Sequence, residues 1–147
     1  MTMDVRLASI PGSARILRIV NDDTGTSVTA GNLQFSSGKL VLRNGTNSLG
    51  ASPTLATGTV YRVGIYQRRG ATSSDGVLEG YLAEGDAPFG APFFRSTIQN
   101  ITTPAKRVEV GATNSVTLDA TFDGIVVDIG SLPGRQPARP FKSKWPA

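Results

Sequence analysis

A chain of 147 residues has the length of one domain, and its composition excludes several classes of chemistry. It contains no histidine and no cysteine, so disulfides, Cys or His zinc sites, cysteine nucleophiles and histidine-dependent triads are excluded. The formal net charge of +4 is carried by four cations near the C-terminus, namely Arg135, Arg139, Lys142 and Lys144. We therefore expect a neutral globular domain over residues 1–134 and a basic, proline-rich, extended arm over residues 135–147.

The sequence predicts neither a membrane segment nor a cleaved leader. It has no run of about 18 apolar residues of the kind that spans a bilayer. The N-terminal segment Met-Thr-Met-Asp-Val-Arg lacks the apolar core of a signal peptide. We expect synthesis in the cytoplasm, and release by lysis is one route to the outside of the cell.

The apolar residues near the N-terminus follow the two-residue period of half-buried strands. Val5 and Leu7 share one face of a first strand. Residues 15–20 form a second strand with apolar side chains on both faces, which is typical of a strand near the centre of a sheet.

A hairpin is predicted next along the chain. Leu33 and Phe35 alternate with polar residues, and Ser37-Gly38 provides a tight turn into a fourth strand. Residues 44–50 are polar and lack alternation, so they are predicted to form a loop.

The clearest strand covers residues 59–68. One of its faces carries the apolar residues Tyr61, Val63 and Ile65. After a hairpin loop over residues 69–76, the next strand places Leu78, Gly80 and Leu82 on its inward side. A further strand contains Val108 and Val110.

The last predicted strand changes phase partway along. Its inward residues are even-numbered up to Phe122 and odd-numbered from Ile125 onward, so the parity changes at Asp123-Gly124. A β-bulge would restore the phase, and a two-residue hairpin is the alternative. With no helical periodicity anywhere, we predict an all-β domain of about nine strands, folded as a two-sheet sandwich.

Several segments together resemble a known family. They are Val5–Ile19, Asn32-Leu-Gln-Phe35, Gly38–Arg43, Leu55–Val63, Val108-Glu-Val-Gly111 and Ala120–Asp128. This succession resembles the laminin-G-like, concanavalin A-like jelly roll, in the versions found in virion proteins of tailed phages of actinobacteria. The resemblance covers roughly residues 4–130. It implies an antiparallel jelly-roll sandwich on a virion surface, with the major capsid protein or other virion proteins as partners.

The chain departs from that family at its beginning. Such modules usually place one or two strands before the segment that corresponds to Val5. Either this is a shortened module, or another chain supplies part of the sandwich. In the second case a free sheet edge would be a docking site.

An enzymatic role is not expected. Glucanases of this fold carry a Glu-x-Asp-x-(x)-Glu strand, and glycosidases in general need two carboxylates across a cleft. The glutamates here are Glu79, Glu84 and Glu109, which do not have that spacing, and Glu79 is expected on a solvent face.

No cofactor is expected, and calcium is the one metal considered. Its oxygen ligands could come from two acidic groups, Asn21 with Asp22 and Asp23, and Asp119 with Asp123 and Asp128. Because no twelve-residue calcium loop is present, we favour ordinary turn and edge carboxylates.

Two aromatic segments are candidate protein-interaction sites. A Pro-rich loop carries Phe89, Phe93 and Phe94, which either contact a partner or fold back over the end of the sandwich. The arm offers Arg135, Arg139, Phe141, Lys142, Lys144 and Trp145 for docking onto a neighbouring subunit, the alternative being a disordered tail. Nucleic acid is not an expected partner, because the body of the chain is neutral.

The sequence therefore favours a non-enzymatic virion structural protein, a capsid decoration or tail-associated module that attaches by multivalent protein contacts. A homo-oligomer is expected, and a trimer would match the threefold sites of a capsid. The alternative is a carbohydrate-binding module for host-surface glycans, and a glycoside-active enzyme is the third choice.

Overall fold

The computed structural model describes residues 1–21, 29–114 and 116–129. In these residues the chain forms ten β-strands and no helix, so the predicted all-β fold is confirmed and the strand count is one higher than predicted. The strands are β1 (Thr2–Leu7), β2 (Ser13–Val20), β3 (Thr29–Ser36), β4 (Lys39–Asn44), β5 (Asn47–Thr54), β6 (Val60–Arg68), β7 (Gly76–Glu84), β8 (Phe94–Gln99), β9 (Arg107–Val110) and β10 (Ala120–Val126). Within this part of the chain no helix has the length and apolarity needed to cross a membrane.

The strands form two antiparallel five-stranded sheets. Sheet I has the order β10-β1-β6-β7-β8, and sheet II has the order β5-β4-β3-β2-β9. The runs β2 to β5 and β6 to β8 are meanders, whereas β1–β2, β5–β6, β8–β9 and β9–β10 are connections between the sheets. Because β3 lies over β6 and β5 lies over β8, the sheets are stacked with β9 and β10 on the same side.

The core lies between the inner faces of the two sheets. Each predicted inward row of β1, β3, β4 and β6 is buried, because alternate side chains enter the space between the sheets. The largest fully buried side chains are Phe35, Met3, Leu7, Ile16, Leu17, Leu33, Leu40, Leu42, Ile65, Leu78, Ile101 and Val5. The second strand is apolar on both faces as predicted, but it lies next to the edge strand β9 and not at the sheet centre.

One hairpin prediction is confirmed and one loop prediction is wrong. Ser37 and Gly38 have φ values of 50° and 74°, which allow the predicted two-residue turn between β3 and β4. Residues 44–50 are not a loop, because β5 begins at Asn47 after a second tight turn at Gly45, where φ is 57°. This polar strand lies at the edge of sheet II and needs few apolar residues there.

The phase change in the last strand is a β-bulge, as predicted, and the hairpin alternative is wrong. Thr2 pairs with Val126 and Asp4 pairs with Asp123, so Gly124 and Ile125 together lie opposite Met3. Gly124 has φ of 59°, the left-handed conformation that glycine adopts without steric cost. The extra residue turns Ile125 and Val127 to the inner side of sheet I.

Candidate functional site

The candidate site lies on the side of the sandwich bounded by β9 and β10, which we call the open side. In the described residues β9 is paired only with β2, and β10 only with β1. Edge strands of this kind present unpaired backbone N–H and C=O groups, which can accept another strand. Residues that follow β10 and residues of β9 line one pocket between the sheets, with a volume of about 570 Å³.

The pocket has an apolar interior and a charged rim. Met1, Ile19 and Ile65 contribute apolar surface from the core side. Arg69, Lys106, Arg107 and Asp128 also line the pocket and supply charge of both signs. An apolar cavity with a few polar groups at its edge suits an extended ligand that inserts side chains and pairs its backbone at the rim.

A row of apolar side chains lies uncovered beside this pocket. Ile125 is 51% exposed, Val127 58% and Ile129 96%. Val126 pairs with Thr2 on the outer face, so its neighbours Ile125 and Val127 face the inner side. On the inner side of a sandwich such residues would normally be buried, and within the described residues nothing covers them.

The N-terminal residue is part of the pocket wall. The Met1 ammonium donates a hydrogen bond to the carbonyl of Ile65 (2.9 Å), and the N–H of Ile65 donates to the carbonyl of Met1 (2.9 Å). Burial lowers the pKa of this amine, and the negative charge of Asp128 partly opposes that shift. The pocket is therefore bounded by a firmly held strand end.

The outer face of sheet I contains a buried carboxylate that the sequence had placed in solvent. Glu79 is only 4% exposed, so the prediction of a solvated surface charge is wrong. The Tyr81 hydroxyl donates a hydrogen bond to Oε2 of Glu79, and Arg95 Nε lies 3.0 Å from Oε1. Burial, followed by the hydrogen bond to Glu79, raises the pKa of Tyr81. Both carboxylate oxygens of Glu79 are thus engaged in a structural network.

A second carboxylate group lies further along the same face. Arg62 Nε donates to Oδ1 of Asp4 at 3.1 Å, and Arg62 also lies 3.8 Å from Asp86. Burial raises the pKa of Asp4, Arg62 opposes this shift, and the charges of Asp123 and Asp86 add to it. Across the described residues, no group of three or more Asp or Glu side chains could hold a metal ion. Asp22 and Asp23, two of the calcium candidates, lie outside those residues.

The three loop phenylalanines are half-buried and go to different places. Phe93 packs on Gly80, where an added methyl group would lie 2.5 Å from Cζ, and Phe94 packs on Gly50 in the opposite sheet. Both rings contact the core. Phe89 lies on the outer face, with its ring centroid 5.5 Å from that of Tyr81. Phe89 is therefore the member of the three best placed for contact with a partner.

The remaining sequence candidates fall in the part of the chain that is not described. These are Arg135, Arg139, Phe141, Lys142, Lys144 and Trp145, and their interaction role stays a prediction. The pocket was missed by sequence reasoning, because its walls come from segments far apart in the chain. The apolar residues after Gly124 were the available signal, since their phase fits the inner face of an edge strand.

Comparison with known proteins adds no relative. No protein-family model, no curated protein and no solved structure matches this chain.

Proposed function

We propose that this chain is a non-enzymatic structural module that attaches to another protein through the open side of its sandwich. The uncovered inner-side row of Ile125, Val127 and Ile129 carries the proposal. The occupant is an extended segment of the partner, which pairs with the edge strand β10 and places apolar side chains into the adjoining pocket. This is the β-augmentation mode of recognition, in which backbone pairing supplies affinity and pockets supply specificity.

The resemblance to laminin-G-like jelly-roll modules gives this module its setting. We propose a capsid decoration or tail-associated protein on the surface of a tailed phage, with the major capsid protein or another virion protein as the partner. The two five-stranded antiparallel sheets supply the all-β sandwich that this proposal requires. Many copies on a lattice would convert modest single contacts into stable attachment.

The C-terminal arm would make a second contact in the same assembly. Its aromatic residues Phe141 and Trp145 are costly to expose without a partner, and its prolines lower the entropy lost on docking.

The first experiment measures attachment to particles assembled without this chain. The double substitution Ile125→Ser and Val127→Ser should lower the affinity by about tenfold or more, because apolar anchors at the centre of an interface dominate its energy. Ile98→Ser is the matched control, since Ile98 is an exposed isoleucine on the edge strand β8 at the other side of the sandwich. Equal occupancy by the wild type and the double variant would contradict the proposal.

Deletion of residues 135–147 separates the arm from the open side. The truncated chain should melt normally and occupy fewer particle sites. Higher occupancy after the deletion would mean that the arm competes with the partner for the open side of its own chain. The arm, and not a partner segment, would then be the group that normally occupies the open side. The mass of the protein in solution, measured at the same time, tests for the expected homo-oligomer.

The carbohydrate-binding alternative is tested with a glycan array. Aromatic sugar platforms usually combine an open ring face with a free polar handle. Tyr81 is buried with its hydroxyl on Glu79, so Phe89 is the described ring of that pair left for stacking. Binding to a glycan that is lost in Phe89→Ala would favour the alternative over the structural module.

A further inference from the structure

The outer face of sheet II carries a cluster of half-buried arginines, of which only Arg107 also lines the open-side pocket. Its members are Arg15, Arg18, Arg43 and Arg107, which we call the arginine face. Glu109 on the edge strand β9 forms ion pairs with two of them, at 3.4 Å to Arg18 and 3.0 Å to Arg107. This part of the surface is therefore strongly cationic, although the chain up to residue 134 is neutral overall.

Strand register brings these side chains together. Arg18 pairs with Asn32 on β3, and Asn32 pairs with Arg43 on β4, so the three lie in one row across the sheet. Arg15 pairs with Gln34 in the adjacent row. Because neighbouring strands lie about 4.8 Å apart, guanidinium groups from β2 and β4 can reach the same ligand above β3.

Hydrogen bonds to neighbouring protein groups hold the Arg43 side chain of this face in position. Arg43 donates one N–H to Oε1 of Gln34 (2.8 Å) and another to the carbonyl of Thr46. Gln34 in turn donates to the hydroxyl of Ser13 at 2.7 Å. The Arg43 guanidinium is thereby fixed before any ligand arrives, which lowers the entropy lost on binding.

Several polar atoms in this face lack a protein partner. Nε of Arg15, Nε of Arg43, Nε of Arg107 and Oδ1 of Asn32 are all buried and form no hydrogen bond. Buried polar groups are normally satisfied, and unpaired guanidinium nitrogens in three arginines leave this face with incompletely neutralised positive charge. Burial, and then the charges of Arg18 and Arg43, lower the pKa of Arg15, and the charge of Glu109 partly opposes that shift.

We propose that the arginine face binds the carboxylates of an acidic polypeptide segment. Glu109 already shows this chemistry, because its single carboxylate is shared by Arg18 and Arg107 at the rim of the cluster. Bidentate guanidinium–carboxylate pairs are among the stronger hydrogen-bonded contacts in proteins. Arg15, Arg18 and Arg43 lie outside the open-side pocket, so this face would give the module a protein contact in addition to the open side.

The composition of the face favours a peptide over nucleic acid or sugar. Along β3 and β4 the outward residues are Asn32, Gln34, Ser36, Lys39, Val41 and Arg43. None of them is aromatic, whereas bases and sugar rings are normally held by aromatic stacking. A flat polar surface of fixed guanidinium groups instead matches side-chain carboxylates that alternate along an extended strand.

The test measures binding of a labelled synthetic peptide of alternating Glu and Ser to the full chain. We expect Arg15→Gln with Arg43→Gln to weaken binding by about tenfold or more, because two charge-assisted contacts are lost. The control is Arg6→Gln with Arg68→Gln, which removes the same charge from two positions on sheet I that do not line the open-side pocket, and it should change the affinity by less than about twofold. Urea unfolding of both double variants checks that the fold persists.

Two further probes distinguish the ligand classes. Oligothymidylate of equal charge and polyglucuronate should both bind more weakly than the peptide at about 0.15 M salt, where nonspecific attraction is screened. Tighter binding of either polymer would overturn the assignment to a peptide, and equal losses in the two double variants would overturn the site itself. Arg15→Lys keeps the positive charge but lacks the planar guanidinium group that can bind a carboxylate through two N–H groups. It should therefore retain only part of the affinity. Failure of this test leaves the particle-binding test unaffected, because Arg15 and Arg43 do not line the open-side pocket and the two tests use different probes.

Discussion

Both sides of the sandwich carry apolar residues near the sheet edges, but these residues are packed on one side and exposed on the other. At the side formed by β5 and β8, the Phe94 ring of sheet I fills the space left by Gly50 of sheet II. Asn44 Nδ2 also donates to Oε1 of Gln99 at 2.8 Å, which joins the two sheets by a hydrogen bond. We call this the closed side, because ring, glycine and amide bring the sheet edges together.

The open side has no such arrangement among the described residues. The short strand β9 and the strand β10 leave a pocket between them, and Ile125 and Val127 remain more than half exposed. The difference shows that apolar content alone does not close a sandwich edge. A bulky side chain must meet a complementary gap, and where the gap has no such side chain a second protein can supply it.

The largest expected effect tests the closed side. Gly50→Ala would place a methyl group 2.1 Å from Cδ2 of Phe94, and we expect it to lower the free energy of unfolding by about 2–3 kcal/mol. Gly90→Ala is the control, because nothing lies within 4 Å of the added methyl there. Urea unfolding measures both. Adding Phe94→Leu to Gly50→Ala should recover part of the loss, and equal stability of the two single variants would contradict the packing described for this side.

The next effect concerns the side-chain network of Tyr81, Glu79 and Arg95, which links β7 to the edge strand β8 at the closed side. Glu79→Ala removes the acceptor of the Tyr81 hydroxyl and the partner of Arg95, and we expect a loss of about 2 kcal/mol because a buried donor is left unsatisfied. Glu84→Ala, at an exposed position of the same strand, should change stability by less than about 0.5 kcal/mol. Thermal or urea unfolding that cannot separate these variants would show that Glu79 is not a structural group.

A smaller effect tests the bulge at the open side. Gly124→Ala forces a side chain into φ of 59° and brings its methyl group within 3.0 Å of Oδ2 of Asp4, so we expect a loss of about 1–2 kcal/mol. Gly85→Ala has a similar φ of 57° with no neighbour within 4 Å, and it isolates the backbone cost. The Gly124 variant should be the less stable of the two in urea unfolding.

The pH dependence of stability gives a still smaller signal on the closed half. The pKa of Tyr81 is raised in the folded protein, so the native state holds this proton more tightly than the unfolded chain. The resulting stability is complete below the ordinary tyrosine pKa of about 10 and is lost as the pH rises through the raised value. The free energy of unfolding, measured across this alkaline range, should fall less steeply with pH in Tyr81→Phe than in the wild type. An identical slope in the two proteins would contradict the buried hydroxyl.

The smallest effect is expected at the open side itself. Ile129→Ser should change the free energy of unfolding by less than about 0.5 kcal/mol, because the side chain is 96% exposed. A large loss in urea unfolding would show that Ile129 already packs against its own chain. The contrast between the open and closed sides would then disappear.

Much of the fold followed from residue alternation. The inward rows of β1, β3, β4, β6 and β7 were predicted, and so was the bulge, because Phe122 and Ile125 differ in parity across Asp123-Gly124. Strand β5 was missed because its sequence, Asn47–Thr54, is polar and contains a proline. An edge strand needs little apolar surface, so periodicity gives no signal for it.

The sites were less predictable because they depend on contacts between distant segments. Glu79 has the alternation of a surface residue, but it is buried with its carboxylate held by Tyr81 and Arg95, and strand alternation does not encode these contacts. The arginine face depends on register, since Arg18 and Arg43 are brought together only when both strands pair with β3. Neither relation is visible in local sequence.

The bulge at Gly124 also determines the character of the outer surface beside β1. Without the extra residue, Ile125 and Val127 would point outward beside Thr2 and add apolar area to the outer face of sheet I. With it, both side chains lie on the inner side, and Val127 lines the pocket of the open side. A single inserted residue therefore decides which surface of sheet I an edge strand makes water-repellent.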